Sequence, residues 1–593
     1  MRHSTVSRFR GRLTPFGTLE ALPAGCSFTE LLECQVLLRG YIADRKPLRG
    51  ELGLDSVGQI TDAELLTHAF RKWGQDLQAH VNGEYAVVIF DLSAHAALIT
   101  HDALGLIPLF YYHRKDGLAF ATHLADLVDI GASDTFDDEY LADFLVFGSV
   151  SSERTPYSSI KRLLPGQSLW WSGGNLRYVQ SWNLPDVPPL HCRDDAEYEE
   201  QFRTLLRAGI QSALAPAGPT CIALSGGLDS SSIACVAADL QPYGLLAYSL
   251  ISPAWPEIDE QRWMHAVVDR CNLPWEKVDR GTVLPFALLP RDFHGEPNQS
   301  VVDEKQLLVQ EQFLASCGAT VMLHGHGGDT VLCASGGAVP THLADSLFDG
   351  KPIAALQAAR FWKQESREQR SYFYWLVRTL LQPSLDHLWA RQIRGTDRRS
   401  PVCPWIKRDY AIGMDLDRRA RERLTTRCDH PGRQSLWNSL WMISFAMTPA
   451  QQRRTNVELR APLLYRPLVE FMYRIPWEQK LQPRCDRYLQ RRALKGVLPE
   501  IVRRRAGKAS GNPTLVEGLR RSRDWVDFLC DSPLMAERGI VDADAWRQAV
   551  RQASVGQTHG DRYFLACVAV EAWLKQLREH RRQLMPAVAL ASG

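Results

Sequence analysis

The pattern of apolar and polar positions changes partway along the chain. In the first part, short apolar runs separated by Gly, Asn and Asp turns predict β-strands. Examples of these runs are Cys34–Ile42, 85–91, 97–101 and 109–113. A helix is predicted over Asp62–Trp73, with Thr61 as its N-cap. This part is therefore predicted to be α+β, built from sheets rather than helical bundles.

After a proline-rich stretch at residues 181–190, strands and helices alternate. Strands are predicted at 221–224, Leu245–Ile251 and 320–323, and helices at 196–214, from Ser230, at 259–271 and at 304–317. This alternation favours an α/β fold with a parallel, doubly wound sheet, whose ligands bind at the C-terminal strand ends. From about Leu343 the chain is predicted to be mostly helical and is rich in Trp and Arg. We predict two domains, 1–190 and 191–593.

Composition narrows the class of protein. The 593 residues carry 69 Lys+Arg and 67 Asp+Glu, so the net charge is +2. This balance argues against a main role in coating nucleic acid or an anionic membrane. No stretch reaches the roughly 18 uncharged apolar residues of a membrane span, and the first residues lack the apolar region of a secretory signal. The 13 cysteines include no Cys-x-x-Cys pair, so we expect a reduced, cytoplasmic protein.

One motif carries the main chemical signal. Residues 225–231 read Ser-Gly-Gly-Leu-Asp-Ser-Ser, between an apolar strand and a helix. The glycines allow a tight turn that presents N–H groups, the serine hydroxyls add donors, and the helix N-terminus adds positive potential. Asp229 has the wrong charge to attract phosphate, so we interpret it as a ligand of Mg²⁺. The motif resembles the PP-loop of ATP pyrophosphatases; the alternative is a glycine turn capped by Ser and Asp.

A second glycine-rich loop follows about a hundred residues later. Residues 323–329 read Leu-His-Gly-His-Gly-Gly-Asp and also follow an apolar strand. The two loops are therefore expected at the same edge of the sheet, where Asp329 can be a second Mg²⁺ ligand. For the two histidines, a metal pair or a packed turn remains an alternative.

A basic run extends from Arg487 to Lys508, with Glu500 as its only acidic residue. We expect most of its arginines on a solvated helix face. Lys508 differs because it lies in a loop of small residues, 506–511, that can close over a site. A cation there can neutralise charge on a transferring phosphate or a tetrahedral intermediate, and losing one such contact typically costs about 3 kcal/mol of barrier.

With these motifs the chain resembles the asparagine synthetase B superfamily over nearly its whole length. The first domain is similar to a class II glutaminase domain, which implies an Ntn-hydrolase-like sandwich. The second is similar to the PP-loop synthetase domain, here with a helical extension. The matching segments are 40–42, 62–64, 73–74, 82–86, Asp91, 101–109, 225–231, 259–260, 325–329, 458–464, 487–491 and 498–508.

One departure from the family pattern affects the expected reaction. A working glutaminase of this class uses a Cys exposed as the first residue, whereas here Arg2 follows Met1 and the nearest cysteine is Cys26. We therefore expect an inactive glutaminase domain and an attacking amine that belongs to the substrate. Members of the superfamily with this loss include β-lactam and carbapenam synthetases and lasso peptide cyclases.

Three features favour the lasso peptide cyclases. The chain is longer than the compact lactam synthetases, and the extra length is rich in aromatic and cationic side chains that suit a peptide. In addition, His326 stands where the β-lactam type has a catalytic Tyr. Tyr465 replaces the family's usual Asp, and its role stays open.

The resemblance implies a reaction on a precursor peptide. With ATP and Mg²⁺, the enzyme would adenylate an Asp or Glu side chain, release pyrophosphate and close a macrolactam with the N-terminal amine. A leader-binding protein and a leader peptidase are candidate partners, and neither nucleic acid nor membrane is expected. The alternatives are a small-molecule lactam synthetase and an ammonia-dependent asparagine synthetase.

Each predicted site residue has an assigned role. Asp229 and Asp329 hold the metal, Lys508 stabilises the charged intermediate, and His326 is either the base that accepts the amine proton or a structural histidine. Asp229 counts as catalytic as well. The predicted ATP contacts are Leu224, Ser225, Gly226, Gly227, Asp229, Ser230, Ser231, Leu250 and Gly327.

Overall fold

The computed structural model describes most of the chain. The described residues are 8–14, 19–24, 27–115, 117–131, 135–184, 187–333, 350–353, 356, 403–422, 436–443, 445, 457–482, 485–505, 507, 513–557 and 561–591. Most of the Trp- and Arg-rich stretch after Leu343, the loop residue Lys508, and Cys26 therefore lie outside the described residues.

Two antiparallel sheets form the first part of the molecule. Their strands are β1 (Arg8–Leu13), β2 (Leu19–Ala24), β3 (Ser27–Leu31), β4 (Cys34–Ile42), β5 (Gly83–Asp91), β6 (Ala96–His101), β7 (Phe110–Arg114), β8 (Gly117–Ala121), β9 (Lys161–Arg162), β10 (Gln167–Ser172) and β11 (Asn175–Gln180). One sheet has the order β2-β1-β8-β7-β9 and the other β11-β10-β6-β5-β4-β3. The four strands named from the sequence are confirmed as β4 to β7, with ends that differ by at most two residues.

The helices around these sheets are α1 (Arg45–Glu51), α2 (Asp62–Trp73), α3 (Leu77–His80), α4 (Leu124–Asp129) and α5 (Asp138–Phe147). Helix α2 has the predicted bounds, and Thr61 forms a capping box with Glu64. Side chains of the two sheets meet in one buried layer that includes Phe120 and Trp171. The other face of the six-stranded sheet packs against α2. Both faces of this sheet are therefore buried, which explains why its central strands read as continuous apolar runs.

A parallel sheet organises the second part. Its strands are β12 (Thr220–Ala223), β13 (Leu245–Ile251), β14 (Trp275–Asp279), β15 (Val321–Leu323) and β16 (Glu458–Arg460), in the order β14-β13-β12-β15-β16. The helices α6 (Asp195–Ala213), α7 (Leu228–Leu240), α8 (Gln261–Cys271), α9 (Glu304–Ser316) and α10 (Gly328–Val331) alternate with the strands. The predicted doubly wound arrangement is confirmed. The sequence patterns missed β14 and β16, which are short and lie at the two edges.

The remaining described helices follow in chain order. They are α11 (Arg408–Gly413), α12 (Leu416–Glu422), α13 (Arg466–Arg474), α14 (Trp477–Lys480), α15 (Tyr488–Ala493), α16 (Glu500–Arg503), α17 (Pro513–Arg521), α18 (Arg523–Cys530), α19 (Leu534–Glu537), α20 (Ala543–Ser554) and α21 (Asp561–Ala591). Buried side chains of α18, α20 and α21 share one core with side chains of β7 and β8, on the outer face of the five-stranded antiparallel sheet. The C-terminal helices thus pack against the first part of the chain.

No described helix is both long and apolar enough to cross a membrane.

Candidate functional site

The motif at residues 225–231 joins β12 to α7. Gly226 has φ +72°, a left-handed conformation that favours glycine. A Cβ on it would lie 3.1 Å from Met264 N and 3.1 Å from Trp263 Cβ. Helix α7 begins at Leu228, two residues before the predicted start, so that Asp229 lies in its first turn. The Ser230 hydroxyl accepts from Ser225 N at 3.2 Å, which closes the loop on itself. The result is a turn whose backbone and hydroxyl donors surround a helix N-terminus.

The second glycine-rich loop packs directly on this motif. Strands β12 and β15 are parallel neighbours, so the loops leave the same edge of the sheet, as predicted. A Cβ on Gly328 would lie 2.6 Å from Asp229 Cγ, and one on Gly325 would lie 3.1 Å from Ser230 N. Glycine is needed at both positions because a larger residue would displace the carboxylate or the helix start of the first loop.

Asp229 and Asp329 converge on the same cationic side chain, Arg487. From Arg487 the Asp229 carboxylate accepts two hydrogen bonds, one from Nε at 3.0 Å and one from a terminal nitrogen at 2.9 Å. The same terminal nitrogen is paired with Asp329. Burial raises the pKa of Asp229 above its ordinary value, and the Arg487 guanidinium opposes this change. Two carboxylates thus converge on one position that already accommodates positive charge.

This donor set fits Mg²⁺. Among the described residues, no three His, Cys, Asp or Glu side chains are grouped so that they could hold a metal ion by themselves. Mg²⁺ is usually held by one or two carboxylates together with substrate phosphates and water, rather than by a complete protein cage. Asp229 and Asp329 would therefore hold the ion, and the phosphates would complete its coordination. Bound in this way, Mg²⁺ supplies charge neutralisation at the phosphate oxygens.

The expectation of a solvated arginine face is wrong for most of the basic run. Arg487, Arg491 and Arg505 are nearly buried, and each has a specific partner. Arg491 donates to Asp486 and to the Arg503 carbonyl, each at 2.6 Å, so it fixes the segment that carries Arg487. Their burial is possible because acidic groups compensate their charge. For Arg487 and Arg505 these groups, Asp229 and Glu260, are distant in sequence, whereas Arg491 pairs with the nearby Asp486.

Arg505 fastens the first loop from behind. One of its terminal nitrogens donates to the Gly226 carbonyl at 3.1 Å, and another pairs with Glu260. Its guanidinium lies 3.9 Å from the ring centroid of Trp263. The side chain is 6% exposed. A buried guanidinium with three partners of this kind holds the turn at Gly226 in one position.

The two histidines of the second loop lie beside the carboxylates. Their ring centroids are 5.9 Å apart, and the backbone N–H of His326 donates to His324 Nδ1 at 3.3 Å. Desolvation lowers the pKa of His324 to about 3, and it also lowers the pKa of His326, against the opposing charge of Asp329. Both rings are therefore neutral near pH 7, and a neutral imidazole can accept a proton.

The other predicted ATP contacts lie around this edge of the sheet. Leu224 is fully buried, its N–H donates to the Tyr248 carbonyl, and its own carbonyl accepts from Ser249 Oγ at 2.7 Å. Leu250 is the penultimate residue of β13, and Gly327 precedes α10 with φ +82°. Lys508 lies outside the described residues, and its predicted role stays a prediction.

Sequence reasoning did not assign the residues that join the two parts of the chain. The buried Glu84 accepts from the Ala461 N–H at 2.8 Å, directly after β16. Burial raises the pKa of Glu84 to about 7. Tyr465, whose role was open, donates its hydroxyl to Asp44 at about 2.7 Å. Segment 458–465 therefore contains β16 and, directly after it, the residues that contact the first domain.

The described cysteines are all free thiols. Cys34 is the one described within residues 27–183, and it is completely buried on β4. Burial raises the pKa of its thiol to about 11, so the thiol is neutral at pH 7. A cysteine of this kind is structural, because the thiolate is the reactive form.

Comparison with known proteins gives the family of the chain. Residues 201–575, more than half of the chain, match the asparagine synthase family, and residues 28–183 match the glutamine amidotransferase domain. The chain is 24% identical over 499 residues to "Asparagine synthetase [glutamine-hydrolyzing] 3" of Bacillus subtilis, covering 79% of this chain and 74% of that protein. It is 28% identical over 214 residues to "Amidase chyE" of Penicillium rubens, covering 35% and 31%.

Among solved structures, the chain is similar to the glutamine phosphoribosylpyrophosphate amidotransferase of B. subtilis. The identity is 11%, the TM-score 0.23, and the match covers 55% of this chain and 86% of that one. The glutamine amidotransferase match falls on the two antiparallel sheets of the first part, and the asparagine synthase match falls on the parallel sheet and its two glycine-rich loops. The chain therefore belongs to the asparagine synthase family of ATP-dependent amide-forming ligases.

Proposed function

We propose that this protein is a lasso peptide cyclase. It adenylates an Asp or Glu side chain of a precursor peptide with ATP, releases pyrophosphate, and closes a macrolactam with the N-terminal amine of the same peptide. A leader-binding protein and a leader peptidase would prepare that amine. The observation that carries the proposal combines two features. Two glycine-rich loops bring the carboxylates of Asp229 and Asp329 together at one sheet edge, and the described cysteine of the first domain, Cys34, is buried with a neutral thiol.

The residues of the site divide the work. The N–H groups at the start of α7 and the hydroxyls of Ser225 and Ser230 would bind phosphate oxygens, while Asp229 and Asp329 would hold Mg²⁺. The peptide carboxylate then attacks the α-phosphate, which gives an acyl adenylate and pyrophosphate. Arg505 keeps the loop in place through its bonds behind Gly226. Electrostatic preorganisation of this kind is the main contribution that a protein makes to such a transfer.

The second half of the reaction needs a free amine. The α-amine has an ordinary pKa of about 8, so only a minority is unprotonated at pH 7. A neutral His326 beside the carboxylates would accept the proton as the amine attacks the acyl carbon. AMP then leaves and the amide forms. Attack within one molecule gains from proximity when the peptide is held with its amine against the acyl group.

An ammonia-dependent asparagine synthetase is the second candidate. The match to a Bacillus subtilis asparagine synthetase over 79% of this chain favours it. In that case free ammonia, rather than a peptide amine, would attack the acyl adenylate. The same adenylation site serves both reactions, so the two candidates differ only in the acceptor and the nucleophile.

The test compares matched acceptors. The full chain is incubated with ATP, Mg²⁺ and peptides that carry a free N-terminus and an internal Asp or Glu, and AMP, pyrophosphate and peptide mass are followed. We expect AMP together with a peptide that has lost one water. The same peptide with an acetylated N-terminus should give no cyclic product. Product formation only with ammonium and aspartate would establish the second candidate instead, and release of ADP would refute both.

A further inference from the structure

Arg487 occupies the position between the predicted metal ligands. Its guanidinium bonds both oxygens of Asp229, at 3.0 and 2.9 Å, and also pairs with Asp329. Its other terminal nitrogen donates to Asp486 at 3.1 Å. Its side chain is 12% exposed, whereas that of Asp329 is 64% exposed. One arginine therefore neutralises the carboxylates that the proposed reaction assigns to Mg²⁺.

The backbone fixes this arginine in place. Arg487 has φ +49°, and its N–H donates at 3.2 Å to the carbonyl of Cys333, which has φ +57°. Left-handed conformations are disfavoured for residues with a Cβ and persist where the surrounding structure imposes them. Two such residues thus meet at one hydrogen bond, between the end of α10 and the start of α15. This junction holds Arg487 over Asp229.

The bonds of Arg487 and a metal ion oppose one another. A Mg²⁺ ion on the same carboxylate would compete for its lone pairs and would repel the guanidinium, which lies 2.9 Å from Asp229 Oδ2. Gln490 would remain beside Asp229, since its amide lies 3.4 Å from Oδ1 and is anchored on Ser232 at 2.9 Å. A displaced guanidinium would have a suitable new partner in the phosphates, which match its planar fork.

We propose that Arg487 is the internal counter-ion of this site, which keeps free divalent metal from Asp229 and Asp329 and transfers to the nucleotide phosphates when metal and ATP arrive together. The inference rests on the proposed ATP site but not on the identity of the acceptor. Metal and nucleotide are then expected to bind cooperatively, because each favours the displacement of Arg487 from the two carboxylates.

The experiment measures binding of Mn²⁺ alone to the full chain by electron paramagnetic resonance. We expect Arg487→Gln to bind Mn²⁺ about ten-fold more tightly than the wild type, since an ion pair that opposes metal binding is lost. Arg487→Lys, which keeps the charge but loses the paired bonds, should bind Mn²⁺ about three-fold more tightly. The control Arg492→Gln removes the same charge on α15, but this arginine pairs with Asp195 and Glu199 and should leave Mn²⁺ affinity unchanged.

Equal Mn²⁺ affinity in the wild type and in either folded Arg487 variant would overturn the proposal, and so would an equal gain in Arg492→Gln. Circular dichroism identifies the folded variants, and Arg487→Lys decides the result if Arg487→Gln does not fold.

Failure of the proposed function is recognised separately. If no peptide is cyclised but Arg487→Gln still gains Mn²⁺ affinity, the acceptor is wrong and the counter-ion role stands. If Asp229→Asn leaves Mn²⁺ binding unaltered, the metal site itself is wrong.

Discussion

Gly328→Ala tests the contact between the two loops with a single methyl group. Gly328 is the first residue of α10, and its φ lies outside the left-handed region, so alanine is conformationally acceptable there. The added Cβ would lie 2.6 Å from Asp229 Cγ, 2.7 Å from its Oδ2 and 2.8 Å from Leu463 Cδ1. The perturbation is therefore steric and is aimed at the predicted metal ligand.

The expected magnitude follows from these distances. Ordinary carbon–carbon contacts begin at about 3.5 Å, so Asp229 or α10 must move by about 1 Å. Arg487 holds the Asp229 carboxylate with two bonds, so the displacement also disturbs that pair. A shift of this size at a reacting site can lower the rate about 100-fold. The accompanying loss of stability should be about 1–3 kcal/mol, the usual cost of overpacking.

The assay follows AMP formation and, by isothermal titration, the binding of Mg·ATP. Gly413→Ala is the matched control, because this residue ends α11 and its added Cβ would meet no described atom within 4 Å. We expect the control to behave like the wild type, and Gly328→Ala to lose both activity and affinity while remaining folded. If folded Gly328→Ala keeps AMP formation within about three-fold of the wild type, then Asp229 need not occupy the observed position, and the reasoning fails.

Three further predictions concern Glu84 between the two domains, Arg505 behind the first loop, and His326 as the proposed base. Burial raises the pKa of Glu84 from 4.5 to about 7, so this group binds a proton more tightly when folded; its stabilising contribution is complete below pH 4.5 and is lost as the pH rises to about 7. Between pH 4.5 and 7 the free energy of unfolding of the wild type should therefore fall by at most about 3 kcal/mol because of this group, and Glu84→Gln should remove that fall. Unfolding measured across this pH range checks it, and an unchanged pH dependence would contradict this assignment. Arg505→Gln should weaken Mg·ATP binding and lower the melting temperature, because a buried ion pair is broken at a cost of about 3 kcal/mol, whereas the 76% exposed Arg504 should tolerate the same change. In the wild type we expect the rate of amide formation to decline only at a pH below the ordinary histidine pKa of 6.5, since desolvation lowers the pKa of His326. His326→Gln should form the amide more slowly and should not show this decline. A pH–rate profile identical to the wild type would exclude His326 as the base.

The local elements near the site could be predicted because their determinants are close in sequence. The apolar run before Gly226 predicts β12, and the glycines and Ser225 predict the turn into α7. Likewise Thr61 and Glu64, three residues apart, specify the start of α2 through a capping box. In these cases the stabilising contacts form within one turn or one strand, so periodicity and capping residues are sufficient.

Strand β16 shows where this reasoning ends. It has three residues, and its partner β15 lies more than 130 residues earlier in the chain. Its sequence, Glu-Leu-Arg, gives no strand pattern by itself, because strand pairing rather than the period of the side chains holds it in the sheet. Segment 458–465 then reaches Glu84 and Asp44 of the first domain, contacts that depend on both domains being folded.

The sequence by itself determined the alternation of strands and helices around the two glycine-rich loops, and the acidic residues of those loops, since these depend on neighbours a few positions away. The tertiary structure alone decided which charges are buried and paired. Arg487 follows Asp229 by 258 residues, yet it holds that carboxylate with two hydrogen bonds. An arginine is stable in a buried position only where an opposite charge meets it, and the folding of distant segments onto one sheet edge brings those charges together.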